Sequence, residues 1–249
     1  MNLKFLLTPD FGFEYLGAWH MLNMTLQQRA RIGLHLLMPT STNEYEKFML
    51  TGRSDVMYAN PSRAATLIRE KGYIPFGRPR QHFDEMVIAS NVNSSFRCVE
   101  DLRPGCRIAC MGNEDIRLVG LRLLEPADLD ASNVEWIVTD SHENSTRALI
   151  RGEADVAFFA ADTFAGFSNL TRLQLHPLVE SAISDIYHVL LLHPKRLDKL
   201  SALENAFFSL GQQVGDDRIL AGVNLPNGFE PMGSEEAEFM IDLMDTLRD

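Results

Sequence analysis

The sequence predicts an α/β protein of two similar lobes, each a parallel or mostly parallel sheet covered by helices on both faces. Three observations lead there. Short apolar runs alternate with segments of helical periodicity, the grammar of strand–helix–strand units. After a break near residues 80–92 that alternation restarts from the beginning. Finally, "TGRSDVMYANPSRAATL" (51–67) has a counterpart a hundred positions on, "IRGEADVAFFAADTFAG" (150–166). Both read as a small turn, Gly, two residues, Asp-Val, an apolar run, then a polar opening onto an alanine-bearing segment.

The first half reads in order. "LKFLLT" (3–8) is a strand and "FEYLGAWHMLNMTLQQRAR" (13–31) an amphipathic helix. "GLHLLMP" (33–39) is the next strand, and "TNEYEKFMLTG" (42–52) a short helix ending on Gly52. "DVMYA" (55–59) follows as a strand. The helix of 60–72 carries explicit boundary signals: Asn60 as N-cap, Pro61 at the first helical position and Gly72 at the stop. In the second half, "RIACMG" (107–112), "VEWIVTD" (134–140) and "DVAFFAA" (155–161) are strands. Residues 114–124 and 141–152 are helices, the latter capped by Ser141 or Asp140, and "DTFAGFSN" is a short helix or turn. "IYHVLLLHP" (186–194) is a further strand. Helices follow at 199–213 and 215–223, and a terminal one over 233–249. The implied organisation is lobe one from 1–84 plus 192–249 and lobe two from 85–191.

Composition narrows the function. The 249 residues are 45% hydrophobic and 23% charged, a globular mix with ample core. A net charge of −11 argues against nucleic acid and anionic membrane surfaces as partners. No stretch approaches the roughly 20 apolar residues that span a bilayer. The opening "MNLKFLLTPDFGF" reads as a first strand and not as a signal peptide. As the sequence stands the chain is expected in the cytoplasm, or in the periplasm if a leader was trimmed. Cys98, Cys106 and Cys110 carry no ligand-spaced histidines, so no metal and no cofactor is expected; they read as buried or half-buried thiols. Asp55 and Asp155 are expected to hold their Gly turns through side-chain to backbone hydrogen bonds. Trp19 and Trp136, inside elements, are expected to pack.

"GRSDV", "EDLRPGCRIA" and above all "DSHENSTRALIRGEADVAFF" carry a family resemblance. The chain, from about Phe5 to Ala221, resembles the phosphate/phosphonate-binding (PhnD-like) periplasmic substrate-binding proteins. The resemblance implies the type II periplasmic-binding-protein fold, two lobes with a ligand cleft between them, and capture of a small solute without catalysis. It also implies a partner, a transporter permease or a signalling protein. It places ligand contacts at Asp10 and Phe11, at Tyr58 and Asn60, at Asn113, at Ser141, His142, Asn144 and Ser145, and at Asp162. Tyr45 lines the wall.

One departure bears on the ligand. Where phosphonate binders carry a run of hydroxyls and glycine that cradles an oxyanion, this chain has "MGNED" (111–115). Each carboxylate about 4 Å from a phosphate would oppose it by roughly 1–4 kcal/mol. The resemblance therefore carries the fold more firmly than the phosphonate ligand. A degenerate binding protein serving as an interaction module, and a small-molecule enzyme on the same fold, are the competing functions.

Overall fold

A computed structural model describes residues 2–50 and 54–248. Its strands are β1 (Leu3–Leu7), β2 (Leu34–Leu37), β3 (Val56–Ala59), β4 (Ile74–Pro79), β5 (Met86–Asn91), β6 (Arg107–Met111), β7 (Glu135–Thr139), β8 (Val156–Ala160), β9 (Leu175–Glu180), β10 (Val189–Leu192) and β11 (Phe229–Pro231). The α-helices are α1 (Leu16–Ala30), α2 (Thr42–Leu50), α3 (Pro61–Lys71), α4 (Glu114–Leu124), α5 (His142–Ile150), α6 (Ala161–Gly166), α7 (Asn169–Arg172), α8 (Leu200–Phe208), α9 (Asp216–Gly222) and α10 (Ser234–Arg248). The expected end of α2 on Gly52, and the Gly turn before Asp55, lie outside the described residues.

Contacts divide the chain into two units. The first comprises Met1–Phe83 and Tyr187–Met244; the second comprises Asp84–Ile186 and Asp245–Asp249. The sheet of the first unit runs β2-β1-β3-β10-β4-β11, and that of the second runs β7-β6-β8-β5-β9. In each sheet three parallel strands stand side by side and a fourth enters antiparallel: β10 beside β3, β5 beside β8. The second sheet repeats the topology of β2-β1-β3-β10-β4, and β11 is an extra edge strand of the first. The inserted strand of each comes from the far side of a crossover in sequence.

The repeated Asp-Val corner is what aligns each sheet. Asp55 Oδ2 accepts the backbone N–H of Lys4 on β1 at 2.9 Å, and the Asp55 amide returns a bond to the Lys4 carbonyl at 2.9 Å. Asp155 does the same to Arg107 at the start of β6, at 2.8 and 2.9 Å. A guanidinium completes each clamp: Arg196 Nε at 2.6 Å from Asp55, and Arg107 Nη2 at 2.7 Å from Asp155. The carboxylates hold the neighbouring strand, where the sequence suggested the turn itself. In the second corner Gly152 takes φ 72°, a left-handed conformation that a side chain would strain.

Period-two alternation then sorts side chains to the two faces. In the first unit Val56 and Tyr58 join a core under α1 and α8, with Trp19, Leu22, Leu26, Leu203 and Phe207. Met57 and Ala59 join the opposite core under α3 and α10, with Tyr45, Ala64, Leu67, Met240 and Ile241. In the second unit Ala109, Ala157 and Phe159 pack with Ala148 and Leu149 of α5. Gly120 of α4 permits a close approach to that sheet, since a Cβ there would stand 2.2 Å from the Phe158 ring. Trp19 is fully buried, with its ring 6.3 Å from Phe5 and 5.2 Å from Phe11. Trp136 lies under the Arg117 guanidinium at 4.2 Å. Cys106 and Cys110 are buried and Cys98 is exposed, all three as free thiols. No described helix is long and apolar enough to cross a membrane.

Several boundaries differ from the sequence reading. The helix expected from residue 13 begins as a 3-10 turn over Phe13–Tyr15, and α1 proper starts at Leu16. The stretch from Tyr73 to Asn91, which reads as a connection, holds both β4 and β5. Strands β9 and β11 were not anticipated, β9 having an internal proline and β11 only three residues.

Burial of the Asp155 carboxyl opposes its charge, but the Arg107 side-chain and backbone hydrogen bonds and the Arg107 charge outweigh it and hold the group below its ordinary 3.8. A depressed folded pKa adds stability that is full above the unfolded value of about 3.9 and is lost as pH falls through the folded one. Asp155→Asn is therefore expected to cost about 1–2 kcal/mol in urea unfolding at pH 7, the pair being partly exposed. That gap should close as the pH drops below about 4.

Candidate functional site

In an open α/β sheet, polar groups gather where parallel strands end, because each strand hands over there to a helix start with unsatisfied N–H groups. In the first unit that edge is built by the ends of β1 and β3 and the beginning of β10. Leu7 pairs with Tyr58 and Val189 with Ala59, so the residues just beyond them are neighbours. Asn60 caps α3 by accepting the Arg63 N–H at 3.0 Å. Its own N–H donates to Thr8 Oγ1 at 3.2 Å, and its side-chain amide donates to both oxygens of Asp10, at 3.0 and 3.2 Å. His188, the residue before β10, sets Nε2 3.4 Å from Asp10 Oδ2.

The imidazole that meets this carboxylate belongs to a cluster of rings. Phe11 stacks on Tyr58 with centroids 5.8 Å apart, and the His188 ring lies 5.5 Å from Phe11 and 5.0 Å from Tyr58. Asp10 and His188 side chains keep only 14% and 13% of their exposure. Burial works against the Asp10 charge. The hydrogen bond and charge of His188, helped by Thr8 and Asn60, overcome it, and the carboxyl is held below 3.8. Tyr58 itself is 1% exposed and belongs to the core beneath the corner. Tyr45 lies apart, 2% exposed in the core on the opposite face, with the Arg63 guanidinium 5.3 Å over its ring. Burial pushes its hydroxyl well above the ordinary tyrosine range.

In the second unit the equivalent edge is formed by the ends of β6, β7 and β8. Met111 and Thr139 are register partners, so Asn113 and Ser141, each two residues on, open adjacent helices. Asn113 Oδ1 accepts the Ile116 N–H at 3.1 Å, and Ser141 Oγ the Asn144 N–H at 3.1 Å. Asn144 turns its amide back onto Asp140 and receives Arg147 at 3.0 Å. Ser145 is fully buried, its hydroxyl 2.6 Å from that of Thr139. His142, half-buried, tilts against Phe159 at 6.1 Å. Asp162, in the first turn of α6, is exposed. Glu114 is exposed with Arg248 at 3.7 Å, whereas Asp115 is buried.

The sequence candidates thus resolve into two groups. Asp10, Phe11, Tyr58 and Asn60 converge in the first unit. Asn113, Ser141, His142, Asn144, Ser145 and Asp162 belong to the edge of the second. His188 was missed. Its only sequence signal is a polar ring directly before a four-residue apolar run, more than 120 positions from Asn60.

The profile of the family described as "ABC transporter, phosphonate, periplasmic substrate-binding protein" matches residues 6–236. The chain belongs to this family. Among solved structures, PhnD1 from Prochlorococcus marinus in complex with methylphosphonate is 13% identical, with a TM-score of 0.83 over 99% of this chain and 98% of that one. A binding protein component of an ABC phosphonate transporter from Pseudomonas aeruginosa is 14% identical, with a TM-score of 0.77 over 99% and 88%. The periplasmic aliphatic sulphonate binding protein SsuA from Escherichia coli is 14% identical, with a TM-score of 0.68 over 99% and 87%. No curated protein matches the chain by sequence. The fold is that of the type II periplasmic binding proteins, with a mixed sheet and flanking helices in each unit. The family serves ABC transporters as periplasmic solute binders.

The Asn60 bridge makes a sharp prediction. Asn60→Asp keeps a good N-cap but sets a second carboxylate about 3 Å from Asp10, and like charges at that range raise the pKa of the pair. The variant should lose about 1–3 kcal/mol at pH 7 and recover as the pH falls through the raised pKa, above the ordinary value of about 4. Asn60→Ala, which loses the cap and the amide bonds to Asp10, should cost about 1–3 kcal/mol at pH 7, the Asp10 share fading only as that carboxyl protonates below about pH 4 and the cap share remaining. Denaturant unfolding at both pH values distinguishes them.

Proposed function

We propose that this chain binds a small solute without transforming it, as the substrate-binding component of an ABC-type uptake system or of a related sensory module. In the first unit the proposed contact residues are Asp10, Phe11, Asn60 and His188; in the second, taken by itself, they are Asn113, Ser141, His142 and Asp162. Tyr58, Asn144 and Ser145 brace those corners from behind, and Tyr45 supports α3 from the other face. The sequence-based division into lobes at residues 84 and 192 is proposed with its second crossing moved to Tyr187, where the chain rejoins the first unit.

The observation that carries this reading is the collection of polar side chains at the carboxyl end of each sheet in a chain that matches the family over residues 6–236. In the first unit the side chains are pre-ordered by one another: Asn60 is fixed by its cap, Asp10 by Asn60, and His188 by Asp10 and two rings. Pre-ordering of this kind lowers the entropic cost of taking up a ligand. The partner is a permease or a signalling protein, to which the loaded chain passes its solute or its state.

Native mass spectrometry of protein purified from its own organism should find a small molecule that denaturation releases unchanged. Adding it back at a hundred times its Kd should raise unfolding stability by about 2.7 kcal/mol. Release of a chemically altered molecule, or no bound mass and no stabilisation by any released extract, would contradict solute binding.

A further inference from the structure

We infer that the outward face of α1 binds a soft monovalent metal ion, Cu(I), through the imidazole of His20 and the thioethers of Met21 and Met24. The site lies within the first unit, on the helix side opposite Trp19, and does not depend on the solute-binding reading.

Trp19, Leu22, Asn23, Leu26 and Ala30 turn one side of α1 into the unit. At roughly 100° per residue, His20, Met21 and Met24 fall together on the other side, with Gly17 one turn before them and Gln28 one turn after. All five are exposed, Met21 at 53% and Met24 at 54%. The solvent side of a helix ordinarily carries charge. Here no Asp, Glu, Lys or Arg occurs from Leu16 to Gln28. What the face presents to water is one imidazole and two thioethers.

Those donors select an ion by softness. Mg(II) and Ca(II) take oxygen ligands, whereas thioether sulfur selects Cu(I), and imidazole also suits copper. The spacing fits a shared ion. His20 and Met24 stand four apart, the interval at which paired helix histidines hold zinc. Met21 and Met24 stand three apart, and both intervals set Cβ atoms about 5–6 Å from one another. Helical side chains lean over the turn before them, so Met24 leans toward His20 and Met21. Those two lean over Gly17, where an added Cβ would meet nothing within 4 Å. The unbranched thioether arms have the torsional freedom to close on an ion in that space. The His20 side chain makes no hydrogen bond or ion pair among the described residues, so ligation breaks no existing bond. Among the described residues no three His, Cys, Asp or Glu gather to hold a metal, so no such cluster competes.

Methionine ε-methyl NMR of the full chain tests the site, with Ag(I) as an air-stable probe and Cu(I) kept reduced by ascorbate. Cys98→Ser removes the exposed thiol, which would itself take either ion. Met21→Leu and Met24→Leu assign the two signals. Both signals should move together and saturate at an equimolar amount of either ion, and Zn(II) at the same concentration should move neither. His20→Gln should weaken the ion by at least about 10-fold, the size of loss that even an outer-shell partner of a metal produces. Thermal unfolding verifies that the variants are folded. Signals unmoved by both soft ions, movement by Zn(II), or an affinity unchanged in folded His20→Gln would overturn the inference.

Discussion

An aspartate carboxylate that grips the first amides of the strand beside it sets the frame of each sheet. Asp55 ties β3 to β1, and Asp155 ties β8 to β6: each carboxylate accepts a backbone N–H of the neighbouring strand, the aspartate amide donates back to the same residue's carbonyl, and a guanidinium pairs with the carboxylate. A slip of one residue in a strand with period two would turn its core face outward. Because both clamps sit at the amino ends of these strands, the register they fix is carried to the carboxyl ends, where Asp10 and Asn60, and Asn113 and Ser141, stand. Leu7 opposite Tyr58 and Met111 opposite Thr139 are consequences of that register.

From there the two edges diverge in chemistry. The first unit concentrates a buried carboxylate, an amide, an imidazole and stacked rings within one corner. The second unit spreads its polar groups over three helix starts, with Asn113 and Ser141 as N-caps and His142 resting on the Phe159 ring. In both, the capping side chains satisfy the helix amides internally. That choice stabilises the helices by about 1 kcal/mol at each cap. It also takes up one of the free amides at each of these helix starts. The family match thus describes the architecture.

Much of the fold was legible because its signals are local. Asn60, Pro61 and Gly72 mark α3 at both ends, and the structure has the cap, the proline at the first turn and Gly72 at φ 68°. The α4 boundaries, Glu114–Leu124, follow from the same kind of signal. Elements defined by partners and not by their own pattern were not legible. Edge strand β9 is only partly buried, and β11 spans three residues, so neither shows alternation long enough to read. Asp10 and Asn60 meet at one corner, as a polar residue after an apolar run signals a strand end. His188 was hidden because its place beside Asp10 depends on β10 entering the sheet antiparallel next to β3. Tyr45 and Ser145 were placed at the right elements, but side-chain direction, which decides between core and surface, is set by packing that sequence spacing does not report.

Hydrogen exchange read with and without the solute released from the native protein tests the central claim most directly. The account predicts slowed exchange at the amides of residues 8–11, 58–63, 113–116 and 142–146, with the remainder of both sheets unchanged. Protection confined to the amino ends of the strands, or to helix faces remote from these corners, would contradict it.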